Sequence, residues 1–136
     1  MIKVLISCAG GFSSSALAQR LKNEIIEKKM DDKIQVEFLP FSIAVREFDG
    51  YDLIMVCPHQ RYKIDEYNRK FVKNKIPIYV IPTRIYGIMS LDIIYPDARD
   101  IIAYFREHPQ NPAHFPNEEN PLKTMRMCAY SQLKHS

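Results

Sequence analysis

Three short apolar runs limit most tightly what this chain can fold into: Val4-Leu5-Ile6, Leu53-Ile-Met-Val56 and Ile76 to Ile81. The first is too short for a helix, is bounded by a turn signal and so reads as a buried strand; the second is a fully apolar strand and the third a further strand. The predicted strands are Ile2 to Ser7, Leu53 to Val56 and Ile76 to Ile81, with Pro77 near a strand start, where a missing N–H does least harm. A fourth segment, Lys33 to Leu39, alternates instead. Lys33, Gln35 and Glu37 oppose Ile34, Val36 and Phe38, which predicts a strand with one wet face at a sheet edge.

Helical spacing fills the gaps. Leu17, Leu21 and Ile25 recur at i+4 within Ser13 to Lys29, with Ser13 to Ser15 as N-cap candidates. Ser42 to Phe48 reads as a short helix. Arg61 to Lys73 reads as a longer one, acidic early and basic late, as the helix dipole favours. Pro96 to Phe105 is the last, with proline at its first position. Strands alternating with helices predict a parallel α/β sheet with right-handed crossovers and helices on both faces. Ligands in such sheets sit beyond the C-terminal strand ends. There, Cys8 to Ser15, Cys57 to Tyr62 and Pro82 to Gly87 are expected to converge.

The chain has 136 residues, 19 basic against 16 acidic. That length suits one compact domain. A net charge of +3, with both signs interspersed, gives nucleic acid no electrostatic foothold. No apolar run approaches the roughly 20 residues of a membrane span, so direct membrane insertion is not expected. Three cysteines, Cys8, Cys57 and Cys128, form an odd set with no signal peptide before them, so free thiols and a cytoplasmic location are expected. Four of the nine prolines, Pro109, Pro112, Pro116 and Pro121, mark an irregular connector. The expected division is a domain over 1–105 and a C-terminal extension over 106–136, with Leu122 to Leu133 as a short helix.

The segment that carries chemistry is Cys8-Ala9-Gly10-Gly11-Phe12-Ser13-Ser14-Ser15, between a buried strand and a helix. A helix start exposes unpaired N–H groups and the positive end of its dipole. Glycines let the loop before it curl, so that backbone donors and serine hydroxyls cradle an anion. Nearby donors stabilise a thiolate, and such sites lower a cysteine pKa from about 8.5 to roughly 3.5–7.5. The same donors would stabilise a phosphoryl group on sulfur and the charge on its equatorial oxygens during in-line transfer. Cys8 is the candidate nucleophile, and Ala9 to Ser15 the candidate phosphate-binding residues.

Cys8 to Ser15 resembles the active-site loop of the enzyme IIB components of the bacterial sugar phosphotransferase system, lactose/cellobiose (chitobiose) type. That loop has the form Cys-x-x-Gly-x-Ser-[Ser/Thr]-Ser, met here by Cys8, Gly11, Ser13, Ser14 and Ser15. Glu37-Phe-Leu-Pro40 resembles the end of the family's second strand. Asp52-Leu-Ile-Met-Val-Cys-Pro58, followed by Tyr62, resembles its third strand and the loop after it. Pro77-Ile-Tyr-Val-Ile81 with Tyr86-Gly87 resembles its fourth strand and following loop.

The resemblance spans about residues 1–105. It implies a four-stranded parallel sheet of order 2-1-3-4. It also implies that Cys8 takes a phosphoryl group from a phosphohistidine on enzyme IIA and passes it to a sugar held by membrane enzyme IIC, without metal or organic cofactor. The implied sugar is of the β-glucoside, cellobiose or lactose class. Pro58, His59, Tyr62 and Tyr86 are the expected pocket rim. His59 stands where the family often has Gln, and a solvated histidine is favoured there over a phosphate contact. Cys57 replaces a common glycine and reads as a buried, inert thiol.

A low-molecular-weight tyrosine phosphatase is the nearest rival. It needs Cys-x5-Arg, because a bidentate arginine binds the phosphate dianion. Six residues after Cys8 stands Ser14, although Arg61 can be imagined reaching in from another loop. A non-catalytic regulatory relative is the second rival. A receiver domain is rejected, because Asp52 lies at the wrong end of its strand. A metal site from Cys57 and His59 has no recognised spacing.

Overall fold

The computed structural model of the chain describes residues 1–8, 12–40, 50–57, 76–88, 90–109, 113–118, 124 and 126–132. Four parallel strands, β1 (Ile2–Cys8), β2 (Ile34–Pro40), β3 (Leu53–Val56) and β4 (Ile78–Val80), form one sheet in the order β2-β1-β3-β4. The helices among the described residues are α1 (Phe12–Glu27), α2 (Thr83–Ile88) and α3 (Leu91–Glu107).

The strand chemistry explains the order. β1 and β3 are the central strands, and each meets apolar neighbours on both faces. Val4, Ile6, Leu53 and Met55 pack in one core cluster, while Leu5, Ile54 and Val56 pack in the other. Full burial stabilises each such side chain by about 1.5–3 kcal/mol. β2 lies at the edge, with Ile34 and Val36 buried and Gln35 exposed. Its wet face carries Glu37, whose carboxylate meets Lys22 of α1 at 3.3 Å.

The larger cluster also takes Leu21 and Ile25 of α1, Ile85 of α2 and Leu91, Ile94, Ala98 and Ile101 of α3. The helices expected over Ser42 to Phe48 and Arg61 to Lys73 lie outside the described residues.

α1 ends in a Schellman motif. Lys29 donates its N–H to the Ile26 carbonyl and Met30 donates to that of Ile25, at 3.1 and 2.9 Å. Lys29 sits at φ 56°, the left-handed conformation that glycine adopts without a Cβ penalty. Lys29→Gly is therefore expected to stabilise the protein by about 0.5–1 kcal/mol, read as a raised denaturation midpoint at unchanged m.

α3 begins five residues before the expected Pro96. Two acceptors supply the start signal. The Ser90 hydroxyl accepts from the Asp92 N–H at 3.2 Å, and the Glu24 carboxylate of α1 accepts from the Leu91 N–H at 2.9 Å. Lys28 ties the same corner, reaching Glu24 at 3.0 Å and Asp92 at 2.8 Å. Its hydrogen bond to Asp92, then that to Glu24, holds the exposed ammonium above the usual lysine range. Pro96 thus lies inside the helix. Ser90→Ala should cost about 1 kcal/mol, measured by thermal unfolding.

Beyond α3 the chain returns to the sheet. Ala113 forms a parallel bridge with Tyr79, and its N–H donates to the Ile78 carbonyl at 2.8 Å, so backbone covers part of the otherwise open β4 edge. Phe115 meets Tyr79 edge-on at 6.0 Å and stacks on Tyr130 at 4.2 Å. The expected helix over Leu122 to Leu133 is not formed among the described residues. Among the described residues of that span, Tyr130–Gln132 form a 3-10 turn.

Arg126 enters from the tail and donates to Glu118 at 2.7 and 3.1 Å, Asp97 of α3 at 2.8 Å, the Cys128 carbonyl at 2.7 Å and the Tyr79 hydroxyl at 3.1 Å. The second Asp97 oxygen accepts from the Tyr130 N–H at 2.8 Å. Burial works against the Arg126 charge, but Glu118, Tyr79 and Asp97 outweigh it and hold the guanidinium above its ordinary range. Burial likewise keeps the Tyr79 phenol protonated far beyond the usual tyrosine range.

Candidate active site at the C-terminal strand ends

The strand register brings Cys8, Cys57 and Ile81, where the expected segments begin, to one end of the sheet. Cys8 is the last residue of β1 and pairs with Pro40, the last of β2. On the other side, Ser7 pairs with Val56 and Val56 with Val80. The N–H of Cys57 points to the Ser7 carbonyl at 3.5 Å, and that of Ile81 to the Val56 carbonyl at 2.9 Å. Cys8, Pro40, Cys57 and Ile81 therefore occupy one level of the sheet. Asp52 lies at the opposite end, where its carboxylate accepts from the Lys3 N–H at 2.9 Å.

β1 stops at Cys8 and α1 starts at Phe12, so only Ala9, Gly10 and Gly11 join them. A connection this short places the first turn of α1, with its unpaired N–H groups, directly after the cysteine. Ser13, Ser14 and Ser15 fall inside that first turn. They are not the N-caps the sequence suggested, because the helix already includes Phe12. Ala9 to Gly11 themselves, and Pro58, His59 and Tyr62 of the expected rim, lie outside the described residues.

Tyr86 is described. It sits in α2, half-buried against the larger core cluster, with its N–H bonded to the Pro82 carbonyl at 2.9 Å. The segment expected as a loop after β4 is thus helical over Thr83–Ile88. The Arg20 guanidinium of α1 donates to the Ile88 carbonyl and ties α2 to α1.

Cys57 departs from expectation more sharply. It is fully buried, as foreseen, but it is disulfide-bonded rather than an inert thiol. Its spacing from other cysteines in the sequence carries no signal for this. Cys128 is free.

A cleft lined by Tyr51, Asp52, Pro77, Ile102 and Arg106 opens where β3 and β4 begin. It lies at the other end of the sheet from Cys8.

Among the described residues no helix is long and apolar enough to cross a membrane. A likeness to a solved structure supports the fold: the lactose-specific IIB component domain of the phosphoenolpyruvate:carbohydrate phosphotransferase system from Streptococcus pneumoniae. The likeness has a TM-score of 0.55 at 20% identity, over 80% of this chain and 98% of that one. No curated protein sequence matches. The family model for the lactose/cellobiose-specific IIB subunit of the phosphotransferase system matches residues 3–95. With well over half the chain matched, and the 2-1-3-4 sheet leading from Cys8 into a helix start, this chain belongs to the lactose/cellobiose-specific IIB family of sugar phosphotransferase components.

Proposed function

We propose that this chain is a phosphoryl carrier whose acceptor is the sulfur of Cys8. The observation that supports this most is the connection of β1 to α1: the strand ends on the cysteine, and a helix starts after three residues, two of them glycine. That arrangement puts unpaired backbone donors and a helix dipole beside a nucleophile. In the first step the thiolate attacks phosphorus of a phosphohistidine on enzyme IIA. The S–P bond forms, the N–P bond breaks and the imidazole recovers a proton. In the second step a sugar hydroxyl held by membrane enzyme IIC attacks. The O–P bond forms, the S–P bond breaks and the thiolate returns as the hydroxyl proton leaves.

Ala9 to Ser15 would hold the phosphoryl oxygens through backbone and hydroxyl donors. Pro58, His59, Tyr62 and Tyr86 would form the rim that meets the partners. The sugar would be of the β-glucoside, cellobiose or lactose class. Residues 106–136 would serve the carrier domain 1–105 as a covering extension. No arginine stands six residues after Cys8, which suits a site that passes phosphate onward rather than hydrolysing it.

The test is to incubate the reduced protein with phosphoenolpyruvate, the general phosphotransferase proteins and a cognate IIA, then map phosphate by mass spectrometry. Phosphate on Cys8 is expected. Steady release of inorganic phosphate from an aryl phosphate without transfer would replace this reading with a phosphatase. Neither activity would leave a binding module.

A further inference from the structure

We propose that Cys8 and Cys57 form a reversible disulfide that switches the carrier off under oxidation. The regulatory half of this rests on Cys8 being the phosphoryl acceptor. The covalent half does not.

The argument starts from strand pairing. β1 and β3 pair Val4 with Leu53, Ile6 with Met55 and Ser7 with Val56. One more step along both strands sets position 8 beside position 57, and the Cys57 N–H to Ser7 carbonyl contact extends the ladder that far. Neighbouring strands lie about 4.8 Å apart, inside the roughly 4.4–6.8 Å that a disulfide spans between Cα atoms.

Face matters as much as distance. Side chains alternate along a strand, so position 8 shares its face with Val4 and Ile6. Position 57 shares its face with Leu53 and Met55, and Val4, Ile6, Leu53, Met55 and Cys57 all belong to one core cluster. The two cysteines thus occupy paired positions on one face of adjacent strands. The chain has three cysteines, Cys57 is disulfide-bonded and Cys128 is free.

The chemistry balances with a hydroperoxide as oxidant. The Cys8 thiolate attacks a peroxide oxygen, the O–O bond breaks, and hydroxide leaves to take a proton as water. The Cys57 thiol then attacks the sulfenic sulfur. The S–S bond forms, the S–O bond breaks and water departs. Two thiols lose two electrons and two protons, and one hydrogen peroxide becomes two waters. A dithiol reverses the reaction by exchange.

One sulfur cannot hold a phosphoryl group and a disulfide together, so the two modifications exclude each other. Oxidation blocks phosphoryl uptake, and phosphorylation shields Cys8 from peroxide. Cys57 also protects the acceptor, because capturing the sulfenic acid as a disulfide stops its passage to the irreversible sulfinic state.

The experiment uses the full chain treated with hydrogen peroxide, digested without reductant and mapped by mass spectrometry. A peptide pair joined through Cys8 and Cys57 is expected. Phosphoryl uptake should fall about tenfold or more, and dithiothreitol should restore it. The Cys57→Ala variant should take up phosphate before treatment and, after prolonged excess peroxide carries its Cys8 past the sulfenic to the sulfinic state, fail to recover with dithiothreitol. Absence of the Cys8–Cys57 peptide in oxidised wild-type protein, or its replacement by a Cys128 linkage, would overturn the pair, and needs no variant to fold. Equal recovery of wild type and Cys57→Ala would overturn the protective role. A Cys8–Cys57 peptide in protein that takes up no phosphate even when reduced would uphold the pair and overturn the carrier reading alone.

Discussion

Cys8→Ser is expected to lower phosphoryl uptake from phosphorylated IIA by about 10³-fold or more, with the fold intact by circular dichroism. The reason is chemical. A cysteine titrates near pH 8.5 and lower still beside backbone donors, so a usable fraction is thiolate at neutral pH. A serine hydroxyl does not ionise there, and the donors around it have no anionic nucleophile to present. Removing the group that forms the covalent bond commonly leaves only what the surrounding donors contribute. Rapid-quench transfer from radiolabelled IIA to wild type and variant measures the difference. Uptake by Cys8→Ser within tenfold of wild type would place the acceptor elsewhere. A loss of transfer with unchanged IIA binding would separate chemistry from docking.

The strand end and helix start around Cys8 are legible in the sequence because their signals are local. A strand buried on both faces needs no partner to be recognised. Leu53 to Val56 was read to the residue, and Ile2 to Ser7 ended one residue short. β2 was placed at an edge because its alternation leaves one face wet. A cysteine at a strand end, two glycines and a helix start are all local, so their order along the chain carried them.

What escaped depends on distant groups. Pro96 looked like the first residue of α3, but Ser90 and the Glu24 carboxylate start that helix earlier. No pattern within 91–107 announces an acceptor on α1. Cys57 reads as inert in the sequence because cysteines at positions 8, 57 and 128 carry no spacing signal for the disulfide in which it takes part. Arg126 carries no local signal, since nothing in its spacing reveals that Asp97, Glu118 and Tyr79 surround it.

Arg126→Met should be the most destabilising single change in the extension. The Arg126 and Asp97 side chains are 2% and 1% exposed, so removing the guanidinium strands a buried carboxylate. It also removes the cation that meets Glu118 and the donor that serves the Cys128 carbonyl. Breaking a buried pair from one side costs about 3–5 kcal/mol, roughly 10–20 °C in Tm for a domain of this size.

Arg126→Lys should recover little of it. One ammonium cannot serve Asp97, Glu118, Tyr79 and a carbonyl at once, and it lacks the planar surface that lies 5.5 and 5.7 Å from the Phe115 and Tyr130 rings. Adding Asp97→Asn to Arg126→Met should restore part of the loss, because the stranded charge disappears. Deleting residues 108–136 should match or exceed the single variant, since it also bares the β4 edge that Ala113 covers. Thermal unfolding of the four proteins decides the matter. A cost below about 1 kcal/mol for Arg126→Met would mean that the extension rests on the sheet without holding it. The predicted loss, with phosphoryl uptake near normal well below the lowered Tm, would mean that the last thirty or so residues are part of what keeps the sheet, and with it Cys8, in place.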